Sequence, residues 1–234
     1  MAVSEISKAL GCAQITVRRD LEELEAKKII NKVHGAAVLA KNWTIEPSFY
    51  ERVDAVSDTK QRIGKAAAAL ILPDAVVFFD AGTTTLAAAK NLPDDLRCTC
   101  ITTGVHTATE LCRKPNASII LVGGSVHHNS LSATGDETIG QIRGYNANFA
   151  FLSTRGISCS RGTFEPYLPL VEVKKAMSAM AKKVVVLADH TKFGVDSLRL
   201  TIPIGEIDIL ITDEGASHQH LDEIKAAGIE LIVV

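Results

Sequence analysis

The sequence predicts a two-part α/β chain, in which a small winged helix-turn-helix module precedes a larger, mainly parallel α/β domain. Three observations predict it. Two short amphipathic segments flank Gly11 and lead into a β-prone hairpin; from residue 58 onward short apolar runs alternate with helical stretches; and several of those runs end in Gly, Ser and Thr. The expected division is a reader over 1–38, a linker over 39–57 and an α/β domain over 58–234.

In the first segment Val3, Ile6 and Leu10 recur at helical spacing, with Ser4 as the expected N-cap. Gly11 breaks the pattern, and a second helix is expected over 13–27, where Val17, Leu21 and Leu24 form one stripe. Two helices about a glycine turn make a helix-turn-helix. Residues 29–35 then read as two β-prone pieces about a polar turn, a wing whose basic tip would hold Lys32 and His34. No period is sustained over 36–57, which includes Pro47.

The larger domain opens with a helix expected over 58–72 that carries an Ala-rich face. Strands are expected at 76–79, 98–102, 118–122, 148–152, 184–188, 207–211 and 229–233, with helices near 86–91, 105–113, 137–143, 165–181 and 217–227. Nearly continuous apolar strands in such alternation are buried on both faces, as in a parallel sheet between helical layers. Right-handed crossovers would gather the strand C-terminal ends along one edge, where open α/β sheets hold ligands.

Composition narrows the function. The 234 residues are 47% hydrophobic, a globular value, and no apolar run reaches the length needed to cross a bilayer. Glu5 and Lys8 interrupt any signal-like start, so a cytoplasmic protein is expected, with no membrane partner. Cys12, Cys98, Cys100, Cys112 and Cys159 form neither a CxxC pair nor a disulfide framework, and reduced thiols are expected. Neither His127–His128 nor the pair His218 and His220 has partner ligands at zinc spacing. No metal and no cofactor are expected. The net charge of −2 restricts any nucleic-acid binding to a local cluster.

That cluster lies in Ala13-Gln14-Ile15-Thr16-Val17-Arg18-Arg19-Asp20-Leu21. With Val17, Leu21 and Leu24 turned to the core, Gln14 and Arg18 fall one turn apart on another face. Long polar side chains there can read base edges in a major groove, Arg against guanine and Gln against adenine. Thr16 and Arg19 suit phosphate contacts that fix register. A solvated charged face on an ordinary amphipathic helix would look the same. The segment from Ala13 to Leu21 resembles the recognition helix of the DeoR family of bacterial repressors, whose form is small-x-x-Thr-aliphatic-Arg-Arg-Asp-aliphatic. The likeness continues in Leu24, in Lys32-Val33-His34-Gly35, in Phe49-x-Glu51-Arg52, in Lys60 and onward through nearly the whole chain. It implies a winged helix-turn-helix bound to operator DNA. Members usually carry a further helix before the segment matching Val3, which this sequence lacks; the resemblance therefore implies either an upstream start or weakened DNA binding.

In the larger domain, the strand at 76–79 ends in Asp80-Ala81-Gly82-Thr83-Thr84-Thr85 before a helix. Glycine permits close backbone approach, hydroxyls can donate, and a helix N-terminus offers exposed N–H groups, a combination suited to phosphate. Such a turn also serves as a plain cap. Thr102-Thr103-Gly104 ends a second strand, and Gly123-Gly124-Ser125 ends a third before a loop with Ser130, Ser132 and Gly135. The convergence of three such strand ends favours a ligand site. Later, Asp189-His190-Thr191-Lys192-Phe193-Gly194 follows another strand, and Lys192 could neutralise a phosphate or simply pair with Asp189 in the turn. The Asp-x-Gly-Thr-Thr loop, the Gly-Gly pair and the Asp-x-x-Lys-Phe string also match the DeoR-family sensor domain.

The resemblance implies a sensor similar in fold to ribose-5-phosphate isomerase, which keeps a sugar-phosphate enzyme as the rival reading. In such enzymes acidic residues occupy the loop after the middle strand; here Ser153-Thr154-Arg155-Gly156-Ile157-Ser158 holds no carboxylate. Arg155 could instead contact an anionic effector. The expectation is a non-enzymatic repressor of a sugar-metabolism operon, controlled by a phosphorylated sugar or related metabolite. A homo-oligomer, dimer or tetramer, is expected, because one short helix reads too few base pairs.

Overall fold

The computed structural model describes residues 2–26, 30–33, 36–39, 47–55 and 57–234. The chain divides into two compact units, Met1–Ile45 and Glu46–Val234.

In the first unit, helix α1 (Val3–Leu10) ends where Gly11 takes the left-handed conformation at φ 64°, bringing Cys12 N to the Ser7 carbonyl at 3.3 Å. Glycine takes this left-handed conformation without the backbone strain that a side chain brings. The helix begins two residues earlier than Ser4 suggests: Ala2 precedes it, and Glu5 Oε2 accepts the Ala2 N–H at 2.8 Å. Helix α2 (Gln14–Ala26) buries Val17 and Leu21 against Val3, Ile6, Cys12 and Leu24. Strands β1 (Ile30–Val33) and β2 (Ala36–Leu39) pair antiparallel with Val33 opposite Ala36. Lys32 therefore lies within the ladder, opposite Ala37, rather than at the tip, and His34 falls outside the described residues.

The second unit opens with α3 (Phe49–Asp54) and α4 (Ser57–Ala68). A seven-stranded sheet follows in the order β14-β13-β11-β8-β3-β4-β5, and every pairing in it is parallel. Its strands are β3 (Val76–Phe79), β4 (Cys98–Thr102), β5 (Ala117–Leu121), β8 (Ala147–Ser153), β11 (Ala181–Leu187), β13 (Ile209–Thr212) and β14 (Glu230–Val233). Alternate residues enter the two cores. Phe78, Leu152 and Val186 face one with Met177 and Ile224, while Val77, Phe79, Phe151 and Val185 face the other with Ile63 and Ala88. Burying each large side chain contributes roughly 1.5–3 kcal/mol, so both faces of the sheet must stay covered.

Helices α4, α5 (Thr83–Lys90) and α6 (Val105–Leu111) cover the second core; α7 (Asp136–Ile142), α8 (Leu168–Ala179) and α9 (His218–Ala226) cover the first. The Ala-rich faces of α4 and α5 permit backbone-close packing, since a Cβ on Gly64 would lie 2.5 Å from the Ala87 carbonyl carbon.

Two small antiparallel features were not foreseen. Strands β6 (Ser125–His127) and β7 (Ser132–Thr134) form a hairpin, and β9 (Gly156–Ser158), β10 (Gly162–Glu165) and β12 (Arg199–Pro203) form a second sheet. Glu165, expected to open a helix, is the last residue of β10, and α8 starts at Leu168.

The chain enters the large sheet at β3, runs outward through β4 and β5, then returns to the other side of β3 with β8. The strand order therefore switches direction between β3 and β8. At such a point successive crossovers diverge and leave a crevice beyond the strand C-termini.

Candidate functional site

The crevice opens where topology places it. A cavity of about 180 Å3 is lined by Thr83 and Thr84 after β3, Ser153, Thr154 and Arg155 after β8, Lys192 after β11, and Pro47, Glu51, Arg52, Ala55 and Lys60 from α3 and α4. A smaller recess adjoins it through Arg52, Ser153 and Thr154 and reaches Asp80, Gly82, Ser130, Glu165 and Lys174.

The floor is a buried ionic cluster. Asp80 is 1% exposed. Its Oδ1 accepts Gly82 N at 2.8 Å and Thr85 Oγ1 at 2.7 Å; its Oδ2 accepts Ser153 N at 2.9 Å. Lys174 Nζ lies 2.5 Å from Asp80 Oδ2, 3.0 Å from Glu165 Oε1 and 2.5 Å from the Ser153 carbonyl. Burial works to raise the Asp80 pKa, but the Lys174 ammonium and the hydrogen bonds from Thr85 and Gly82 outweigh it and hold the carboxyl below its ordinary value. Burial likewise works to lower Lys174, and the Asp80 and Glu165 carboxylates reverse it to a raised value. Both groups are thus ionised, and Asp80 fixes the β3 and β8 ends together.

Gly82 fits by shape. A Cβ there would stand 1.8 Å from Ser153 Oγ. With Gly82 as N-cap, the first turn of α5 is Thr83, Thr84 and Thr85, so the helix starts three residues earlier than expected. First-turn N–H groups have no intrahelical acceptor, and those of Thr83 and Thr84 belong to residues of the cavity wall.

Above this floor the charge is positive. Arg52, Lys60, Arg155 and Lys192 line the cavity against the single acid Glu51. The Glu51 carboxylate is engaged at the start of α3, where Ser48 N donates to it at 2.7 Å. Burial lowers the Lys192 pKa, Asp189 opposes the shift, and Arg155 and Arg52 reinforce it. Lys192 Nζ stands 3.8 Å from Asp189 Oδ2, a buried atom that makes no hydrogen bond. A desolvated lysine among other cations is stabilised by an arriving anion.

Of the residues expected to hold an effector, the structure gathers Thr83, Thr84, Arg155 and Lys192 at the cavity, with Asp80 and Gly82 in the recess beneath. Thr85 is fully buried and serves Asp80. Thr102, Thr103, Gly104, Gly123 and Gly124 line neither space. They hold the β6–β7 hairpin: Thr102 Oγ1 accepts Gly104 N at 3.1 Å, Thr103 O accepts Ala133 N at 2.8 Å, and Gly104 bridges to Ser132. Gly123 N faces the Gln141 side chain at 3.3 Å, and a Cβ on Gly124 would meet Thr138 Oγ1 at 2.0 Å.

Lys174, Glu165, Ser153 and Arg52 were missed as site residues. A lysine on the apolar face of a helix, with Leu170, Val171 and Met177 at helical spacing around it, is the signal that could have found Lys174.

In the first unit Gln14, Thr16, Arg18 and Arg19 are all exposed on α2, and Lys32 lies on β1. Ile15 is 73% exposed beside them. An apolar side chain at the start of a groove-binding helix can contact a thymine methyl, and Ile15 was not among the expected reader residues.

A family model described as the DeoR C terminal sensor domain matches residues 56–214, and one described as the DeoR-like helix-turn-helix domain matches residues 1–42. The chain belongs to the DeoR family. It is a DNA-binding transcriptional regulator with a C-terminal sensor domain. Among curated relatives it is 35% identical over 229 residues to the HTH-type transcriptional regulator GolR of Listeria innocua, covering 98% of this chain and 90% of that protein. It is 33% identical over 233 residues to the HTH-type transcriptional repressor GlcR of Bacillus subtilis, covering 100% and 90%. It is 29% identical over 234 residues to a putative aga operon transcriptional repressor of Escherichia coli O157:H7, covering 99% and 87%. Among solved structures, ribose 5-phosphate isomerase A of Methanocaldococcus jannaschii aligns over 59% of this chain and 55% of its own, at 16% identity and a TM-score of 0.44. Among the described residues, no helix is long and apolar enough to cross a membrane.

Proposed function

We propose that this DeoR-family regulator represses a sugar-metabolism operon and that a phosphorylated sugar or a close relative, bound in the β3–β8 crevice, controls it. The observation that carries the reading is the meeting of the α5 first turn with Arg52, Arg155 and Lys192 above an internally neutralised Asp80–Lys174 pair. The cations favour an anionic ligand, and Thr83 and Thr84 of the cavity wall offer hydroxyls to a polyol. A cavity of about 180 Å3 is small beside the roughly 300–1,000 Å3 of sites for drug-sized ligands, which favours a small metabolite over a dinucleotide.

Division of labour follows the expected domains: a reader over 1–38, a connecting segment over 39–57 and a sensor over 58–234, with α3 contributing to the sensor's wall. Gln14 and Arg18 read base edges, Thr16, Arg19, Lys32 and His34 contact the backbone or flank it, and a homo-oligomer presents two readers to two half-sites. The protein works in the cytoplasm and does not catalyse. A general base works best with a pKa near the operating pH, whereas Asp80 is held low by its donors and Glu165 is paired with Lys174. The relatives' naming as regulators supports the same view.

A thermal-shift screen with phosphorylated and free sugars tests the ligand class. Stabilisation at a hundredfold excess over Kd should reach about 2.7 kcal/mol, and only phosphorylated compounds should produce it. Equal stabilisation by free sugars, or none by either set, would remove the reading.

A further inference from the structure

The recess beneath the crevice has a volume of about 20 Å3. A cavity needs roughly 10–15 Å3 to hold one water, so this space admits a single oxygen and excludes a phosphate group. What it can hold follows from the hydrogen bonds that its lining has left to make. Asp80 is fully engaged by Gly82, Thr85, Ser153 and Lys174. Lys174 spends its three protons on Asp80, Glu165 and the Ser153 carbonyl. The Ser153 hydroxyl donates to Asp80 Oδ2 at 3.0 Å, and Thr154 Oγ1 donates to the Gly156 carbonyl at 2.7 Å.

Glu165 and Ser130 retain capacity. Glu165 is 5% exposed, and among the described residues its side chain is tied only to Lys174 Nζ, at 3.0 Å from Oε1; a carboxylate offers about four lone-pair sites. Ser130 is 2% exposed, and among the described residues its hydroxyl meets only His127 Nδ1, at 3.0 Å. A hydroxyl has one donor and two acceptor sites, so one bond leaves room for another. The turn that delivers Ser130 is firmly set. Leu131 takes a φ of 52°, its N–H donates to the His127 carbonyl at 2.8 Å, and the His127 ring stacks on Tyr167 at the head of α8, with centroids 3.8 Å apart and planes at 13°.

We propose that the recess is a subsite for a single hydroxyl of the effector, held between the Ser130 hydroxyl and the Glu165 carboxylate, and that it selects which phosphorylated polyol the sensor accepts. This rests on the reading of the crevice as an effector site. The ligand hydroxyl donates to Glu165 and shares its oxygen with Ser130, while the phosphate stays among the cations above. An ether at that position lacks the proton for Glu165 and overfills the space. A site built to bond a hydroxyl rejects an analogue without one, because its own buried polar groups are then left unpaired. The β4 and β5 ends, which line neither space, gain a part in recognition by holding the β6–β7 hairpin that carries Ser130.

The experiment is calorimetry on the full chain at constant ionic strength. Inorganic phosphate is compared with ribose 5-phosphate, glucose 6-phosphate, fructose 6-phosphate, galactose 6-phosphate and glycerol 3-phosphate. At least one of the five should bind the wild type more tightly than inorganic phosphate. In Ser130→Ala that advantage should fall about three- to tenfold, the loss of one hydrogen bond, while inorganic phosphate binds as before. An advantage that survives in Ser130→Ala, or an equal loss for inorganic phosphate, overturns the proposal. Binding of inorganic phosphate with no advantage for any of the five overturns it too, and leaves the crevice as an anion site. Binding of none of the six compounds overturns both readings. If Ser130→Ala does not fold, the wild type decides with mono-O-methyl derivatives of the tightest of the five: a methyl at one hydroxyl should abolish the advantage, and tolerance at every hydroxyl overturns the proposal.

Discussion

Replacing Lys174 with methionine removes the ammonium paired with Asp80 and Glu165, and its cost can be worked from the structure. The lysine is 3% exposed, and the carboxylates it leaves behind are 1% and 5% exposed. Removing one partner of a buried pair costs about 3–5 kcal/mol. The variant has an escape, because one carboxyl can take up a proton. From an ordinary carboxyl pKa near 4, protonation at pH 7 costs about three times 1.4, or roughly 4 kcal/mol, and at pH 5 only about 1.4 kcal/mol. The wild type behaves otherwise. Asp80 has a lowered folded pKa, so the stability it contributes is fully present above about pH 4 and is lost only as pH falls through the folded value. Lys174 is raised, so its contribution persists below about pH 10.4 and is lost as pH rises through its folded value. Urea unfolding followed by circular dichroism at about pH 7, 6 and 5 should therefore show Lys174→Met destabilised by about 4 kcal/mol, shrinking by more than half at the lowest pH. A loss below about 1 kcal/mol at neutral pH, or one that does not change with pH, would refute the assignment of a charged, dehydrated cluster.

Three further outcomes follow. Gly82→Ala should destabilise the chain by about 1–3 kcal/mol, the usual cost of overpacking, because its Cβ would stand 1.8 Å from Ser153 Oγ; a crystal structure of the variant with Ser153 still bonded to Asp80 would contradict this. Lys192→Ala should keep its melting temperature without ligand and lose at least tenfold in affinity for phosphorylated sugars by calorimetry, with unchanged affinity as the contrary result. Arg18→Ala should weaken operator binding about ten- to hundredfold and relax sequence preference in a mobility-shift series, while Arg19→Ala should weaken all sequences alike and flatten the salt dependence; identical profiles for the two variants would refute the division of roles.

The large sheet was legible because buried parallel strands write their own signal. Val76–Phe79 and Cys98–Thr102 have the expected bounds, and the remaining large-sheet strands lie within a few residues of theirs. The short strands Ser125–His127, Gly156–Ser158 and Gly162–Glu165 carry no apolar run, since each is only a few residues long and pairs in a small sheet. Helix α8 shows the limit of local propensity. Glu165 is a good helix former, yet its backbone pairs with Arg199, and the helix waits for Leu168 and Pro169. At the candidate site, motif glycines and threonines gave equal weight to the β3, β4 and β5 ends, whereas the cavity is lined from the β3, β8 and β11 ends and the β4 and β5 ends lie on the outward run of the sheet away from the switch. Only strand order separates the two groups. Lys174 was missed for a related reason: its partner Asp80 lies 94 residues away in sequence, so the apolar helix around it could have marked a buried lysine but not the carboxylate it meets.

The two layers of charge in the crevice divide the work of stability and sensing. The lower layer is satisfied from within, so it holds β3, β8 and α8 in place whether or not a ligand is present. The upper layer gathers Arg52, Lys60, Arg155 and Lys192 around the cavity, and Arg52 sits on a helix of six residues. Allosteric control needs a coupling of only about 1–3 kcal/mol. The Phe49–His106 stack is worth about 0.5–1.5 kcal/mol beyond area burial, and a hydrogen bond from Arg52 to a charged ligand is worth about 1.5–3 kcal/mol. These are of one size. A ligand held by the upper layer would therefore carry enough differential affinity to shift the sensor, whereas one that touches only the lower layer meets groups already paired.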